Sequence, residues 1–428
     1  MKPNAARPGG HPRTSEFTGP LSIPGGEVAG AEIVRELGAE VSLAVWQTLR
    51  GVLMWAAETP EARPALFDAE AMRAWECELL VASWEPELRY PLAVLVGELA
   101  GDPTPEPIAR ACLCVTDWAL TREAWSTALA FAEAAALAWP EHPRYAWTVG
   151  RLLRTRGRLR EAEQWIQRCV RVAGATGDWE AQVLGLNSLG NLFYEFGNYP
   201  RATRALRDAL RISRKSRLRE REGEVLHDLF SVTLWSGDLA EAEKLSTAAF
   251  EIYRESAHHR LPALVHDVMV LWLRRGEYSR ALAVLMKLPV FFGDLPEEQV
   301  RVYASLARAA AECGDAGTFG DAWNAASALA VCSSVQSRAA PAMLEIGLGA
   351  SALQEWTIAE RALSQAIEFA GQSGERDVMV DAESALSLVR RRMQPQARAA
   401  SRLNRPDKDP VTASFLDGLR SAAVMTAV

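Results

Sequence analysis

LNSLGNLFYEFGNYPRATRALRDA, residues 186–209, carries two apolar stripes on either side of a glycine turn. Leu186, Leu189, Gly190 and Phe193 fall at i, i+3, i+4 and i+7, one face of a helix. Ala202, Leu206 and Ala209 form a second stripe beyond the turn. Gly190 has no side chain, so a neighbouring helix can approach closely, and Ala202 is small where the two helices cross. Gly197 permits the backbone angles of a tight turn. Asn198 stands where it can cap the second helix, as do Asp238 and Asp315 in their own turns.

This turn recurs seven times, at Glu123, Gly157, Gly197, Gly237, Gly276, Gly314 and Gln354, in steps of 34, 40, 40, 39, 38 and 40 residues. An aromatic or aliphatic residue follows two positions later, and an alanine usually follows at five: Leu159/Ala162, Tyr199/Ala202, Leu239/Ala242 and Tyr278/Ala281 in the clearest copies, Trp125/Ala128, Ala316/Phe319 and Trp356/Ala359 in the others. A period in this range means one helical hairpin repeated, each copy burying its apolar face on the next. No segment alternates with period two for long, so almost no strand is expected. The fold class is all-α, an α-solenoid of about seven hairpins.

The surrounding chain extends this plan. Residues 1–26, with five prolines, read as a disordered leader without the apolar core of a secretory signal. Residues 27–105 read as an N-terminal helical segment: two helices meeting near Gly38, a third capped by Asp68, and a fourth after Pro86. The run Gly101-Asp-Pro-Thr-Pro-Glu-Pro107 is the strongest breaker and the expected domain boundary. The hairpins occupy 106–374. Residues 375–394 read as a terminal capping helix, with Val378, Val380, Ala382, Leu386 and Val389 on its apolar side. Residues 395–428 carry few order signals and are expected to be a disordered tail.

Of 428 residues, 49% are hydrophobic and 24% charged, which is ordinary for a globular protein. A formal charge of −7 argues against a large sequence-independent DNA footprint. The basic stretch 390–408 is where nucleic-acid contact would be expected if there were any; a solvated end is the plainer reading. No stretch approaches about 18 uninterrupted apolar residues, so no membrane span is expected, and a cytoplasmic protein is the default. The six cysteines form no Cys-x-x-Cys pair, which fits a reducing compartment and gives no metal ligand set.

The stretch Leu186, Leu189-Gly190, Phe193, Gly197, Tyr199, Ala202, Leu206, Ala209 resembles the tetratricopeptide repeat (TPR) in register, position by position. The copy at Gly157 gives Ala146, Val149-Gly150, Leu153, Leu159, Ala162, Ile166 and Cys169, and the copy at Glu123 ends on the family's proline, Pro140. The period, nearer 40 than the family's 34, is similar to the long-helix repeats of MalT-like activators and Rap/PlcR-type regulators. The resemblance implies a right-handed superhelix whose first helices line a concave groove. It also implies that the ligand-contacting positions fall on Trp147, Arg151, Arg154, Asn187, Asn191 and Tyr194.

Spacing alone adds Arg144, three residues before Trp147, and continues the ladder through Glu224, His227 and Ser231 to His266. Asn can bond a peptide backbone through both donor and acceptor, and Arg can hold a carboxylate bidentately. The groove is therefore expected to bind a protein or peptide segment, with an acidic group a good fit. Alternatively these are ordinary solvated faces of solenoid helices, or the side chains pair with one another and with Glu195 or Glu224.

His227-Asp228 and His266-Asp267, 39 residues apart, are read as repeat duplication rather than a metal centre, because no further ligands converge with them. The spacing Gly185-x-x-x-x-Gly190 continues with Asn191 and lies within a helix, so it is no phosphate loop. No hydrolase or zinc-protease motif is present. The sequence thus points to a non-catalytic scaffold or adaptor without cofactor or metal. The alternative is a ligand- or peptide-sensing regulator acting on a transcription or signalling partner.

Overall fold

The computed structural model describes residues 26–101, 104–293, 295–330, 335–393 and 409–426. The expected leader, save Gly26, and residues 394–408 of the basic stretch lie outside the described residues. Twenty α-helices and no strand are present among the described residues. The fold is all-α, a solenoid of TPR-type hairpins, and the chain divides into two compact units, 1–216 and 217–428.

The first unit opens with α1 (Gly26–Leu37), α2 (Ala39–Ala57), α3 (Ala69–Val81) and α4 (Pro86–Leu99). Three hairpins follow: α5 (Pro105–Thr121) with α6 (Trp125–Ala138), α7 (Pro143–Thr155) with α8 (Leu159–Thr176), and α9 (Trp179–Glu195) with α10 (Tyr199–Lys215). Gly38 separates α1 from α2 at φ 76°, and the Asp68 carboxylate caps α3 by accepting from the Ala71 amide at 2.7 Å. The expected boundary at 101–107 stands between α4, which ends at Leu99, and α5, which starts at Pro105, and both helices lie in the first unit. Helix α4 packs along α5, and α1 and α2 pack on α6. Glu36 of α1 accepts from the Ser126 and Thr127 amides at 2.7 and 2.9 Å and from the Thr127 hydroxyl at 2.8 Å, so a distant carboxylate satisfies the free amides at the start of α6. The N-terminal helices therefore belong to the first unit's core.

The second unit holds four hairpins: α11 (Arg219–Ser236) with α12 (Leu239–Glu255), α13 (Leu261–Arg275) with α14 (Tyr278–Leu285), α15 (Pro296–Cys313) with α16 (Ala316–Ala330), and α17 (Gln336–Ala352) with α18 (Trp356–Ser373). Helix α19 (Arg376–Arg390) packs on α18 and α17, burying Ala382, Ala385, Leu386 and Val389.

All seven expected turns are helix-to-helix turns, and all seven turn residues have positive φ: 59° at Glu123, 72° at Gly157, 68° at Gly197, 94° at Gly237, 76° at Gly276, 79° at Gly314 and 60° at Gln354. The two copies without glycine thus keep the left-handed geometry at a steric cost. Asn198, Asp238 and Asp315 cap the following helices by accepting from the amides of Arg201, Glu241 and Thr318 at 3.2, 3.1 and 3.0 Å.

Close crossing of the paired helices has a measurable basis. A Cβ at Gly190 would stand 2.5 Å from Leu206 Cγ, one at Gly150 2.5 Å from Ile166 Cγ1, and one at Gly347 2.6 Å from Leu363 Cγ. Each would overlap a side chain that is itself fully buried.

The tail differs from expectation. Residues 410–426 form a further helix, α20 (Pro410–Thr426), packed against α12, α13 and α14. Phe415 meets the Phe250 ring at 4.4 Å and the Trp272 ring edge-on at 5.5 Å. Gly418 lies against Phe250, where a Cβ would come within 2.8 Å of the ring. Asp409 accepts from Arg280 Nη2 at 2.6 Å and from the Thr412 amide at 3.0 Å, capping the helix and tying it to α14. Phe415, Leu416, Leu419 and Ala422 fall at i, i+1, i+4 and i+7, so a helical stripe lies within the stretch expected to be disordered, and the surface it meets supplies the order.

Candidate functional site

Ten residues before its turn each first helix carries a residue that matters here: Trp147 on α7, Asn187 on α9, His227 on α11 and His266 on α13, with Ser305 on α15 one residue nearer to its turn. From α7, α11 and α13 the side chain bonds the next first helix of its own unit.

In the first unit, Trp147 Nε1 donates to Ser188 Oγ at 2.8 Å, joining α7 to α9. Arg144 pairs with Glu180 at 3.1 Å and Arg154 with Glu195 at 3.5 Å, each across the same two helices. The alternative of internal pairing therefore holds for these two arginines. Both pairs are a third to a half exposed, so each contributes little stability. Arg151 differs. It is exposed, its guanidinium carbon lies 5.5 Å from the Trp147 ring centroid, and it has no carboxylate partner among the described residues. Asn187, Asn191 and Tyr194 are half-buried on the facing helix and already take part in contacts within the chain. Tyr194 lies 6.0 Å from the Tyr199 ring. Seven of the nine expected residues thus share the α7–α9 pair.

The other two do not line an open face. His227 and His266 are 3% and 2% exposed. His227 Nε2 is 3.0 Å from Asp267 Oδ2, and His266 Nε2 is 3.0 Å from Ser305 Oγ. The repeat carries both imidazoles into the seam between first helices, where each bonds the next hairpin. They hold α11 to α13 and α13 to α15, and a ligand would have to separate those helices to reach them.

Charged residues surround this seam. Arg301 bridges Asp267 at 3.0 Å and Glu298 at 2.7 Å, and Arg260 donates to Asp228 at 3.0 Å. Tyr253 stacks on His258 at 4.2 Å, and His258 stands 3.7 Å from Glu224, which pairs with Arg221 at 2.7 Å. Burial disfavours charge on Asp267, but hydrogen bonds from His227 and His266 and the nearby Arg301 outweigh it and hold the carboxyl well below its ordinary range. Burial pushes the His266 and His258 imidazoles down. This is an internal polar network with its charges compensated. Among the described residues, no group of three or more His, Cys, Asp or Glu could hold a metal ion.

Sequence reasoning singled out the two His-Asp pairs as duplicates but missed Arg260, Arg301 and Ser305. A signal was available: Ser305 follows His266 by the same 39 residues that separate His266 from His227. Partners for buried polar groups in such a stack lie about one period away.

The class follows from the repeated hairpin, the left-handed turn and the small residue at each crossing: the chain is a TPR-type helical repeat protein. Residues 108–312 match the family model of the MalT-like TPR region. No curated protein matches the sequence. Among solved structures, a STAND signal-transduction ATPase with a tetratricopeptide repeat sensor from Pyrococcus horikoshii is 12% identical, with 94% of this chain and 69% of that one covered at a TM-score of 0.49. A Rap protein complexed with competence and sporulation factor is 11% identical, covering 86% and 98% at a TM-score of 0.45. BtubC from P. vanneervenii is 16% identical, covering 53% and 90% at a TM-score of 0.40. Likenesses at these levels concern fold alone. No helix among the described residues is long and apolar enough to cross a membrane.

Proposed function

We propose that the chain is a non-catalytic interaction protein whose α7–α9 face takes an acidic protein or peptide segment. A TPR-type repeat suits a protein-interaction or regulatory role, because stacked hairpins present long rows of side chains on rigid helices. The observation that carries the reading is Arg151. It is exposed, stacked over Trp147, unmatched by any carboxylate among the described residues, and flanked by Arg144 and Arg154. A ligand carboxylate there would gain a bidentate charged hydrogen bond without first breaking an internal one. Asn187 and Asn191 stand on the facing helix, where amides can meet a peptide backbone. His227 and His266 are excluded from the surface proposed.

The test is selection of displayed random peptides on the full chain, followed by affinity measurement on Arg151→Ala. Enrichment of Asp or Glu is expected, with a loss of about tenfold or more in the variant, the scale of a charged hydrogen bond. Selected peptides that bind the variant and the parent equally would remove the proposal.

A further inference from the structure

The charge of this chain is segregated, and the segregation coincides with exposed helices. Residues 144–216 hold fourteen Lys and Arg against six Asp and Glu, a net +8 within a chain of −7. In the first unit the outer side of α6 is covered by α1 and α2. The second helices of the next two hairpins, α8 and α10, have no such cover. Arg160 and Arg171 are exposed on α8, and Arg204, Arg207, Arg211 and Arg214 are exposed on α10 at i, i+3, i+7 and i+10. That places the four on one stripe about 15 Å long. Arg201 bonds Glu163 at 2.8 Å, so side chains of α8 and α10 meet across α9 on this side. Arg211 has an exposed pair with Asp208. Arg160, Arg171, Arg204 and Arg207 have no carboxylate within ion-pair distance among the described residues.

We propose that the α8–α10 face binds the phosphate backbone of a nucleic-acid duplex without reading its sequence. Two physical points select this partner over an acidic protein. Protein interfaces draw their affinity from buried aromatic and aliphatic anchors, and charge is depleted at their centres. None of the exposed large hydrophobic residues lies on α8 or α10. A duplex needs no such anchor: displaced counterions supply the free energy, and one charge per about 1.7 Å of axis lets a 15 Å stripe meet several phosphates in any register. Arginine, rather than lysine, also fits bidentate phosphate contact. The face is built from second helices and is separate from Arg151 and its neighbours on α7 and α9. The overall charge of −7 conceals it, because the acidic excess lies outside residues 144–216.

Fluorescence polarisation of the full chain with 25-base-pair DNA and RNA duplexes, from 50 to 200 mM salt, tests the proposal. Four phosphate contacts predict a slope of log affinity against log salt of about −3.6. The variant Arg204→Ala/Arg207→Ala/Arg211→Ala, on exposed positions, should keep its circular dichroism and lose about 2.7 of that slope. A chain with Arg398, Arg402 and Arg405 all replaced by alanine should bind as the parent does. Binding to either duplex that follows this pattern supports the face, and the two arms say whether DNA or RNA is preferred. No binding of either duplex at 50 mM salt, binding insensitive to the α10 variant, binding lost with the tail arginines, or capture of polyglutamate in place of both duplexes would each overturn it.

Discussion

Gly190→Ala should destabilise the protein even though alanine is the better helix former. Gly190 lies inside α9, and replacing a helical glycine by alanine ordinarily gains about 0.5–1 kcal/mol. Here the new methyl would stand 2.5 Å from Leu206 Cγ, 2.7 Å from Cδ2 and 3.2 Å from Cδ1. Leu206 is completely buried and cannot swing into solvent, so α9 and α10 must separate or Leu206 must leave its rotamer. Such overpacking costs about 1–3 kcal/mol. Gly320→Ala supplies the comparison, since Gly320 is within α16 and a Cβ there meets nothing within 4 Å. Urea unfolding followed by tryptophan fluorescence should place Gly190→Ala below Gly320→Ala by about 1–3 kcal/mol. Leu206→Ala alone costs about 2–5 kcal/mol. Combined with Gly190→Ala it should cost less than the two single losses together, by about the overlap relieved. A Gly190→Ala protein as stable as Gly320→Ala, with no coupling to Leu206, would refute the steric account of the hairpin crossing.

Four other outcomes are expected. Gln354→Gly should raise the stability of the α17–α18 hairpin to urea by up to about 1 kcal/mol, because it releases a left-handed side-chain conformation, whereas Gly197→Ala should lower stability by about as much or more; the same sign for both would contradict the turn assignment. Asp267→Asn should cost about 1–3 kcal/mol to urea, because an amide replaces the carboxylate that bonds His227 and Arg301 while Arg301 keeps Glu298. The lowered imidazoles of His258 and His266 contribute stability that is complete above about pH 6.5 and fades as pH falls through their depressed values, and Asp267 adds a further loss that begins as pH falls below about 3.8 and is complete once its own carboxylate protonates. A urea midpoint that stays flat from pH 7 to 4 would contradict both histidine assignments. Finally, Phe415→Ala should cost about 3 kcal/mol at the α20 contact and bring the amides of 410–426 into fast hydrogen exchange while α13 stays protected; unchanged protection of 410–426 would show that α20 is held by something else.

Much of the fold was legible because it is local and repeated. The stripe Leu186/Leu189/Phe193, the turn at Gly197 and the cap at Asn198 each need only neighbours within one hairpin, and seven copies corroborate one another. The same logic extended to Glu123 and Gln354, where the register survives without glycine. The candidate site was legible only in some of its residues. The rows on α7 and α9 were placed together, but the sequence could not say that Arg144 and Arg154 meet Glu180 and Glu195 while Arg151 meets only Trp147. It placed His227 and His266 at the right repeat position and gave them the wrong surroundings, because the hydrophobic period tells which face is apolar and not what a flanking polar residue encounters one period away.

The sequence by itself determined the hairpin, its length, its turn and its count. These follow from the 3.6-residue period and from backbone angles, which are properties of short stretches. Tertiary structure alone decided that the N-terminal helices cover α6, that residues 410–426 find a seat on α12–α14, that two histidines serve the seam, and that side chains of α8 and α10 meet across α9. Those outcomes depend on which surface each helix leaves uncovered after stacking, and that is set by contacts between residues some 30 to 165 positions apart.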